Sequence, residues 1–305
     1  MPFQSTTVLL NPAAGSVGDR EVIVGAIKDQ LPGVQIVSGR EAGALTQLTR
    51  KALADGARTV IAAGGDGTLN EVLNGLAPDF SRARLGLLPL GTGNDFARTA
   101  ELPADLHEAL LVIRAGHIRH IDVIRAQTAT TRFMINVSAG GFSASVNDVM
   151  TEELKDTWGP LCYARSFVEA LSGLQDFQTE IILDDSERLD VQAYNIVVAN
   201  GRYVAKGLPI APTAEIDDGL ADLVVLPASG LRALASLAPA TLFGRHLESE
   251  HILFRRARKI EIRSKPHMRF NTDGELIGSC PITYEVLPGV LQFLSPAPKL
   301  LESEV

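Results

Sequence analysis

Four short stretches hold the residue types that could do chemistry. They are Gly64-Gly65-Asp66-Gly67-Thr68-Leu69-Asn70, Gly91-Thr92-Gly93-Asn94-Asp95, Glu215-Ile216-Asp217-Asp218-Gly219-Leu220 and Asn271-Thr272-Asp273-Gly274-Glu275. Glycines let backbone N–H groups approach a ligand closely, and a helix N-terminus behind them favours a phosphate. Asp66 would repel that phosphate unless Mg²⁺ or a hydroxyl donor lay between them. An acid inside a phosphate cradle therefore suggests phosphoryl transfer rather than simple dinucleotide binding. The plainer alternative is a strand-to-helix turn that happens to be glycine-rich. Other phosphate fingerprints do not fit. No lysine follows a glycine, which excludes a Walker A loop, and Gly65-x-Gly67 and Gly91-x-Gly93 run on to Asn70 and Phe96 where a dinucleotide site needs a small residue.

The elements that must position these stretches are readable from periodicity. Residues 60–63 form an apolar run of strand length, and Leu69, Val72, Leu73 and Leu76 then recur at helical spacing. Residues 6–10 are an earlier strand, ended by Asn11-Pro12-Ala13-Ala14-Gly15, and Val22, Ile23, Ala26, Ile27 and Leu31 mark a helix after it. A second strand at 34–37 and a helix through Leu45, Leu48, Ala52 and Leu53 follow, then a strand at 85–90 and a helix through Leu106, Ala109, Leu110 and Ile113. Strands alternating with helices predict a mostly parallel sheet, with ligands beyond the carboxyl ends of its strands. The loops at Asn11, Gly64 and Gly91 all fall on that edge.

After residue 124 the texture changes to short alternating runs with Asp-rich turns, which predicts antiparallel β structure. A helical insert is expected around 145–174, broken at Trp158-Gly159-Pro160. The expected organisation is an α/β domain over 1–124, rejoined by a tail over 287–305, and a β-rich domain over 125–286.

Bulk properties narrow the function classes. The chain has 305 residues, 46% of them hydrophobic, and a net charge of −8, which argues against a nucleic-acid surface. Two cysteines, Cys162 and Cys280, fit a reducing compartment. Neither a signal peptide nor a spanning segment is expected, so the predicted location is cytoplasmic. Residues 255–259 are the one dense basic run. They read as a solvated loop, with contact to anionic headgroups as the alternative. An apolar face through Leu231, Leu234, Leu237 and Leu242-Phe243 reads as core packing before lipid access.

The acids of the second half admit two readings each. Glu215, Asp218 and Leu220 lie about a glycine turn whose carboxylates and carbonyls suit a hard cation, though a solvated Asp-Gly turn is the plainer reading. Asp273-Gly274 is a good hairpin turn, yet a carboxylate there could also accept the proton of an attacking hydroxyl.

Three motifs in order carry a resemblance: Asn11-Pro12-x-x-Gly15, Gly64-Gly65-Asp66-Gly67-Thr68-x-Asn70-Glu71 and Leu88-Pro89-x-Gly91-Thr92-x-Asn94-Asp95-Phe96. Together they resemble the diacylglycerol kinase catalytic domain, over nearly the whole chain, and in particular the soluble bacterial lipid kinases related to diacylglycerol and sphingosine kinases. The resemblance implies two lobes with a cleft between them. It implies ATP held by Asn11, Pro12, Ala13, Ala14, Gly15, Gly64, Gly65, Asp66, Gly67, Thr68, Leu69, Asn70 and Thr92. It implies Glu275 as general base, with Asp66, Asp95 and Asp273 orienting it or serving the Mg²⁺ that accompanies ATP. It also implies a structural Mg²⁺ on the Asp218 carboxylate and the carbonyls of Glu215 and Leu220.

One departure stands out: Gly39 occupies a position where the family often has a threonine, and Ser38 could supply the missing hydroxyl. The expected partners are a lipid substrate, a transient peripheral membrane contact and, as an option, a second copy in a homodimer. A kinase of a soluble acceptor is the first alternative, since NAD kinases share Gly-Gly-Asp-Gly. A catalytically silent nucleotide- or lipid-binding protein is the second.

Overall fold

The computed structural model describes residues 3, 5–14, 20–141, 175–228, 241 and 243–298. Gly15, the expected insert at 145–174, and Leu231, Leu234, Leu237 and Leu242 lie outside the described residues. The chain divides into two compact units. One comprises Met1–Val123, Ala205–Gly207 and Pro288–Val305, the other Ile124–Val204 and Leu208–Leu287.

The first unit alternates strand and helix. Its elements are β1 (Thr6–Leu10), α1 (Arg20–Gln30), β2 (Gln35–Ser38), α2 (Ala44–Ala54), β3 (Thr59–Gly64), α3 (Asp66–Leu76), β4 (Arg84–Pro89), α4 (Asp95–Thr99) and α5 (Leu106–Ala115). The strands pair in parallel in the order β4-β3-β1-β2. Both faces are covered, so β1 and β3 read as unbroken apolar runs without alternation. On one face Val8, Leu10, Ile61, Ala63 and Leu88 pack against Ile23 and Ile27 of α1 and Ala109, Leu110 and Ile113 of α5. On the other face α2 and α3 approach closely because Gly75 of α3 sits against Thr49; a Cβ there would lie 2.4 Å from the threonine Cβ. The short loops at the carboxyl ends of β1, β3 and β4 share one edge of this sheet.

The second unit is antiparallel. The chain reaches it along β5 (Ile118–Gln127) and continues through β6 (Thr131–Met134), β7 (Val137–Gly141), β8 (Phe177–Leu183), β9 (Glu187–Ala199), the short ribbon β10 (Tyr203–Val204) and β11 (Leu208–Pro209), and β12 (Ala221–Pro227). It then runs through β13 (Leu253–Ala257), β14 (Lys259–Lys265), β15 (Arg269–Thr272), β16 (Glu275–Ser279) and β17 (Ile282–Leu294). The order β16-β15-β7-β9-β8-β14-β17 forms a sheet, with β12 and β13 added through β9. Side chains alternate between two apolar layers. Ile196, Val198, Leu223 and Val225 face a layer with Ile260, Ile262, Phe270 and Tyr284, while Val197, Ala199 and Val224 face a smaller one with Ala211 and Ala214. That period of two distinguishes these strands from the helix-covered ones of the first unit.

The smaller layer is edged by His246, 2% exposed, whose Nε2 donates to the Ile210 carbonyl at 2.9 Å. Burial holds this imidazole below its ordinary value of 6.5. The unfolded chain therefore takes up a proton before the folded one does, and His246 contributes stability that is present above pH 6.5 and lost as pH falls through it. Urea unfolding followed from roughly pH 7.5 down to 5.5 should show this loss, and His246→Gln should flatten it. Equal slopes for the two proteins would remove His246 from the pH response.

Candidate functional site

The first unit supplies three loops that are tied to one another. After β1, the Asn11 N–H donates to the Ala63 carbonyl at 3.0 Å, and its side chain donates to Thr68 Oγ1 at 3.2 Å while accepting from the Ala13 N–H at 2.9 Å. The Asn-Pro turn is thus fixed to the first turn of α3. After β4, the Leu90 N–H donates to the Gly64 carbonyl at 3.0 Å. Gly65 and Gly91 meet backbone to backbone. A Cβ on Gly91 would lie 2.4 Å from the Gly65 Cα, so these two glycines are required by packing between the loops.

Gly67 is a different case. It sits in the first turn of α3 with no atom within 4 Å of where its Cβ would be, and the helix has no side-chain N-cap. Glycine inside a helix costs about 1 kcal/mol relative to alanine, and nothing in the fold requires that cost here. The first N–H groups of α3 and the space over Gly67 make a cradle that a side chain would fill. The residues present thus fit the triphosphate that the sequence suggests. Leu69 does not belong to that cradle: it is 2% exposed in the core, and its N–H is already bonded to the Gly65 carbonyl at 3.0 Å. Asn70 is likewise buried and accepts from Asn74. Thr92 is exposed, as is Ala13, with Pro12 and Ala14 half-buried beside it.

The acids of this unit hold backbone. Asp66 accepts from the N–H groups of Asp95 at 3.1 Å and Phe96 at 3.0 Å, capping α4 with both carboxylate oxygens. Asp95, 7% exposed, accepts in turn from Lys206 at 3.2 Å and Gly207 at 2.7 Å. Burial pushes the Asp95 carboxyl above its usual range against the pull of those two amides, and the nearby Asp66 charge adds to the rise. Asn94, in the left-handed region at φ 53°, laces its own loop by accepting from the Gly91 N–H and donating to the carbonyls of Pro89 and Gly91. Glu71 accepts from the Leu45 N–H at 2.9 Å and so caps α2. Asn94 and Glu71 stand in the sequence motifs, but only their fold partners show that they build the loops. The space a threonine would need at Gly39 is taken: a Cβ there would lie 2.9 Å from Ala44 Cβ. The Ser38 hydroxyl accepts from Arg20 at 3.1 Å.

In the second unit the β15–β16 turn has Asp273 at φ 47° and Gly274 at φ 90°, a conformation that Asp-Gly suits. The Asp273 carboxylate accepts from the N–H of Val137 at 2.9 Å and of Ile135 at 3.4 Å, which fastens the hairpin to β7. Beneath it, the Ser138 hydroxyl contacts the buried Tyr284 hydroxyl at 2.7 Å, Thr272 Oγ1 at 3.1 Å and the Asn271 carbonyl at 2.5 Å. Burial pushes the Tyr284 phenol far up, so it stays protonated and available as a donor. Glu275 opens β16, exposed, and among the described residues its carboxylate has no hydrogen-bond or ion-pair partner.

The turn at residues 215–222 is occupied differently from what its acids suggest. Asp218 accepts from the Leu220 N–H at 2.9 Å and forms an ion pair with Arg256. Asp222, 1% exposed, accepts from Arg256 Nε at 2.9 Å and from Thr213 at 3.2 Å. A guanidinium already serves as the cation, and no cluster of three or more His, Cys, Asp or Glu side chains suited to a metal occurs among the described residues. Of the expected ligands only the Asp218 carboxylate is seen engaged, by Arg256 and the Leu220 N–H, and no step is routed through a metal there. The neighbouring basic run is also neutralised: Arg255 pairs with Glu187, and Lys259 with Asp185 and Glu261.

Comparison with known proteins agrees with the fold and the motifs. The sequence pattern of the "Diacylglycerol kinase catalytic domain" matches residues 5–126, and that of the "YegS C-terminal NAD kinase beta sandwich-like domain" matches residues 136–295. A Staphylococcus epidermidis protein named diacylglycerol kinase is 30% identical over 95% of this chain and 91% of its own. A solved Bacillus anthracis str. Sterne structure, 27% identical, superposes with a TM-score of 0.82 over 97% of this chain and 96% of that one. An NAD kinase from Archaeoglobus fulgidus in complex with ATP, at 13% identity and TM-score 0.52, shares the fold over 95% of this chain and 93% of its own. The class defined by this parallel sheet, its three loops and its antiparallel partner unit is that of the kinases built like NAD kinase and diacylglycerol kinase. Within it, the chain belongs to the bacterial diacylglycerol kinase family. No helix among the described residues is long and apolar enough to cross a membrane.

Asp66 is the joint of the three-loop assembly, and its replacement tests this. Asp66→Asn keeps the shape but offers one acceptor oxygen where two N–H donors point. It should lower unfolding stability by about 1–3 kcal/mol. Unchanged stability by denaturant titration would mean that the two hydrogen bonds hold nothing.

Proposed function

We propose that the chain transfers the γ-phosphoryl group of ATP, taken as its Mg²⁺ complex, to the hydroxyl of a lipid of the diacylglycerol type. The observation that carries this reading is the division of labour among the acids. Asp66, Asp95 and Asp273 are committed to backbone N–H donors, while Glu275 alone of the four is exposed and without a partner among the described residues. An alcohol is a poor nucleophile until its proton has somewhere to go, and a solvated carboxylate on a rigid hairpin is suited to accept it. Glu275 takes the hydroxyl proton as the acceptor oxygen bonds to the γ-phosphorus and the bond to the β,γ-bridging oxygen breaks. The first N–H groups of α3 and the Asn11–Thr68 pair hold the phosphates, so catalysis rests on positioning and electrostatics. Mg²⁺ supplies charge neutralisation on the phosphates and arrives with the nucleotide.

The lipid acceptor is supported by the names of the staphylococcal relatives. It is tested by incubation with labelled ATP and diacylglycerol. Label should enter the organic extract, and label remaining in a soluble phosphorylated product would replace lipid by an NAD-like acceptor. Glu275→Gln should abolish this transfer, with ATP binding nearly intact. Unchanged turnover would take Glu275 out of the mechanism.

The nucleotide cradle has its own test. Gly67→Val adds atoms only to open space, so stability should stay within about 0.5 kcal/mol while ATP affinity falls at least tenfold. Retained affinity, measured by calorimetry with a non-hydrolysable ATP analogue, would move the phosphates away from the start of α3.

A further inference from the structure

On the edge of the first unit's sheet opposite the three loops lies a cavity of about 550 Å³. It opens where β1, β3 and β4 begin and β17 ends, with Thr6, Thr59, Arg84 and Leu294 in its wall. Strands of this length separate the two edges by roughly 17–20 Å, so the cavity is distinct from the cradle at Gly67. Among the described residues its charged lining is of one sign: Arg58, Arg82, Arg84 and Arg114, with no acid.

That lining sits in a protein of net charge −8, in which Arg125, Arg188, Arg255, Arg256, Lys259 and Arg263 are each paired with carboxylates. The larger cavity of the second unit, for comparison, mixes Glu180 and Asp190 with Arg263 and Lys265, and Arg263 bonds Glu180 at 3.2 Å. Among the described residues none of the four arginines forms an ion pair. Arg114 donates to the neutral amide of Gln30 at 3.0 Å. Asp79 feels the Arg82 charge, but its Oδ1 accepts from both the N–H and the hydroxyl of Ser81. Four like charges lining one cavity repel one another. Backbone ties fix two of their positions: the Arg58 N–H donates to the Ser5 carbonyl at 2.8 Å and the Arg84 N–H to the Arg58 carbonyl at 3.0 Å. Arg82 ends the 3₁₀ turn Phe80–Arg82, two residues before Arg84. Fold stability gains nothing from such an arrangement, whereas a multiply charged oxyanion would be held by it. Guanidinium forks match phosphate oxygens two at a time, and the volume falls within the usual ~300–1,000 Å³ of small-molecule sites.

We infer that this cavity is a second anion site, separate from the nucleotide cradle, that binds a phosphate-ester group carrying at least two negative charges. Ile113 and Leu294 add apolar surface to its wall, so the group can be a soluble phosphorylated compound or the headgroup of an anionic lipid. The chemistry is the same in either case, and the source is decided by experiment.

Calorimetry with inorganic pyrophosphate on the full chain carrying Gly67→Val, where the cradle is closed, should show one binding event that weakens as salt is raised. Arg82→Gln/Arg84→Gln in the same background should weaken it at least tenfold. Arg58→Gln/Arg114→Gln should do likewise, which protects the result if one pair misfolds, and circular dichroism checks each variant. Sedimentation with vesicles containing phosphatidic acid, whose phosphomonoester headgroup can carry two negative charges, forms the second arm. Arginine-dependent vesicle binding without pyrophosphate binding assigns the headgroup, and the reverse assigns a soluble ligand. Binding of neither probe, or binding that both arginine pairs leave unchanged, overturns the site. Because the cradle is already closed, that result would leave the proposed kinase reaction untouched, and loss of kinase activity would leave this site untouched.

Discussion

The two hydrogen bonds from the Asp95 and Phe96 N–H groups to the Asp66 carboxylate are the constraint on which the rest of the first unit depends. Asp66 begins α3, so the same residue starts one helix and caps another. Its carboxylate stabilises both helix ends, since each presents orphan N–H groups and the positive end of a macrodipole. Rigid coupling of this kind is what allows Gly65 and Gly91 to touch through bare backbone. It also explains why α4, only five residues long, keeps its place: Asp95 passes the linkage on to Lys206 and Gly207 through two further amides. A carboxylate that satisfies two backbone donors is worth more here than one aimed at a ligand. The alternative is buried N–H groups with no acceptor, at about 1–3 kcal/mol each.

Such a relay assigns costs as well as contacts. Asp95 loses hydration to reach the 205–207 segment, and burial raises its pKa despite two amide donors. The segment itself turns through three consecutive positive φ values, at Ala205, Lys206 and Gly207. Left-handed backbone at two residues with side chains costs of order 1–3 kcal/mol each and persists only when the surroundings impose it. Asp95 is the group that imposes it, and in doing so it recruits a stretch far along the chain into the first unit.

How much of this could be read from the chain follows from the range of the interactions. A mostly parallel sheet in the first half and antiparallel structure in the second were legible, because apolar periodicity and turn chemistry act over a few residues; the strand order β4-β3-β1-β2 was not. Strand positions of the first unit came out within a residue or so: 34–37 was expected where β2 runs Gln35–Ser38. The candidate residues were legible as types but not as roles. Asp66, Asp95 and Asp273 look interchangeable with Glu275 in one dimension; what separates them is which backbone amides lie opposite. Those partners stand 29 or 30 residues away for Asp66, 111 or 112 for Asp95 and 136 or 138 for Asp273. Leu69 was grouped with the phosphate loop because it sits in the motif, yet helical phase turns it into the core. Arg256 was one cation of a basic run until β12 and β13 paired and set it opposite Asp218 and Asp222.

Arg256 shows how the same chemistry is resolved in opposite ways in different parts of the chain. Asp222 is almost wholly buried, and burial raises its carboxyl against the pull of the guanidinium. An unpaired charge there would cost several kcal/mol, so the pairing is a condition of folding β12 against β13 rather than a surplus. Around Arg58, Arg82, Arg84 and Arg114 the situation is reversed: the side chains are exposed and no carboxylate is buried with them, so folding demands no counter-ion. Water and salt screen them in the free protein, and the repulsion that remains is released only when an anion enters. The Asp222–Arg256 pair is thus part of the fold, whereas the four arginines of the cavity leave their charge for an anion to meet.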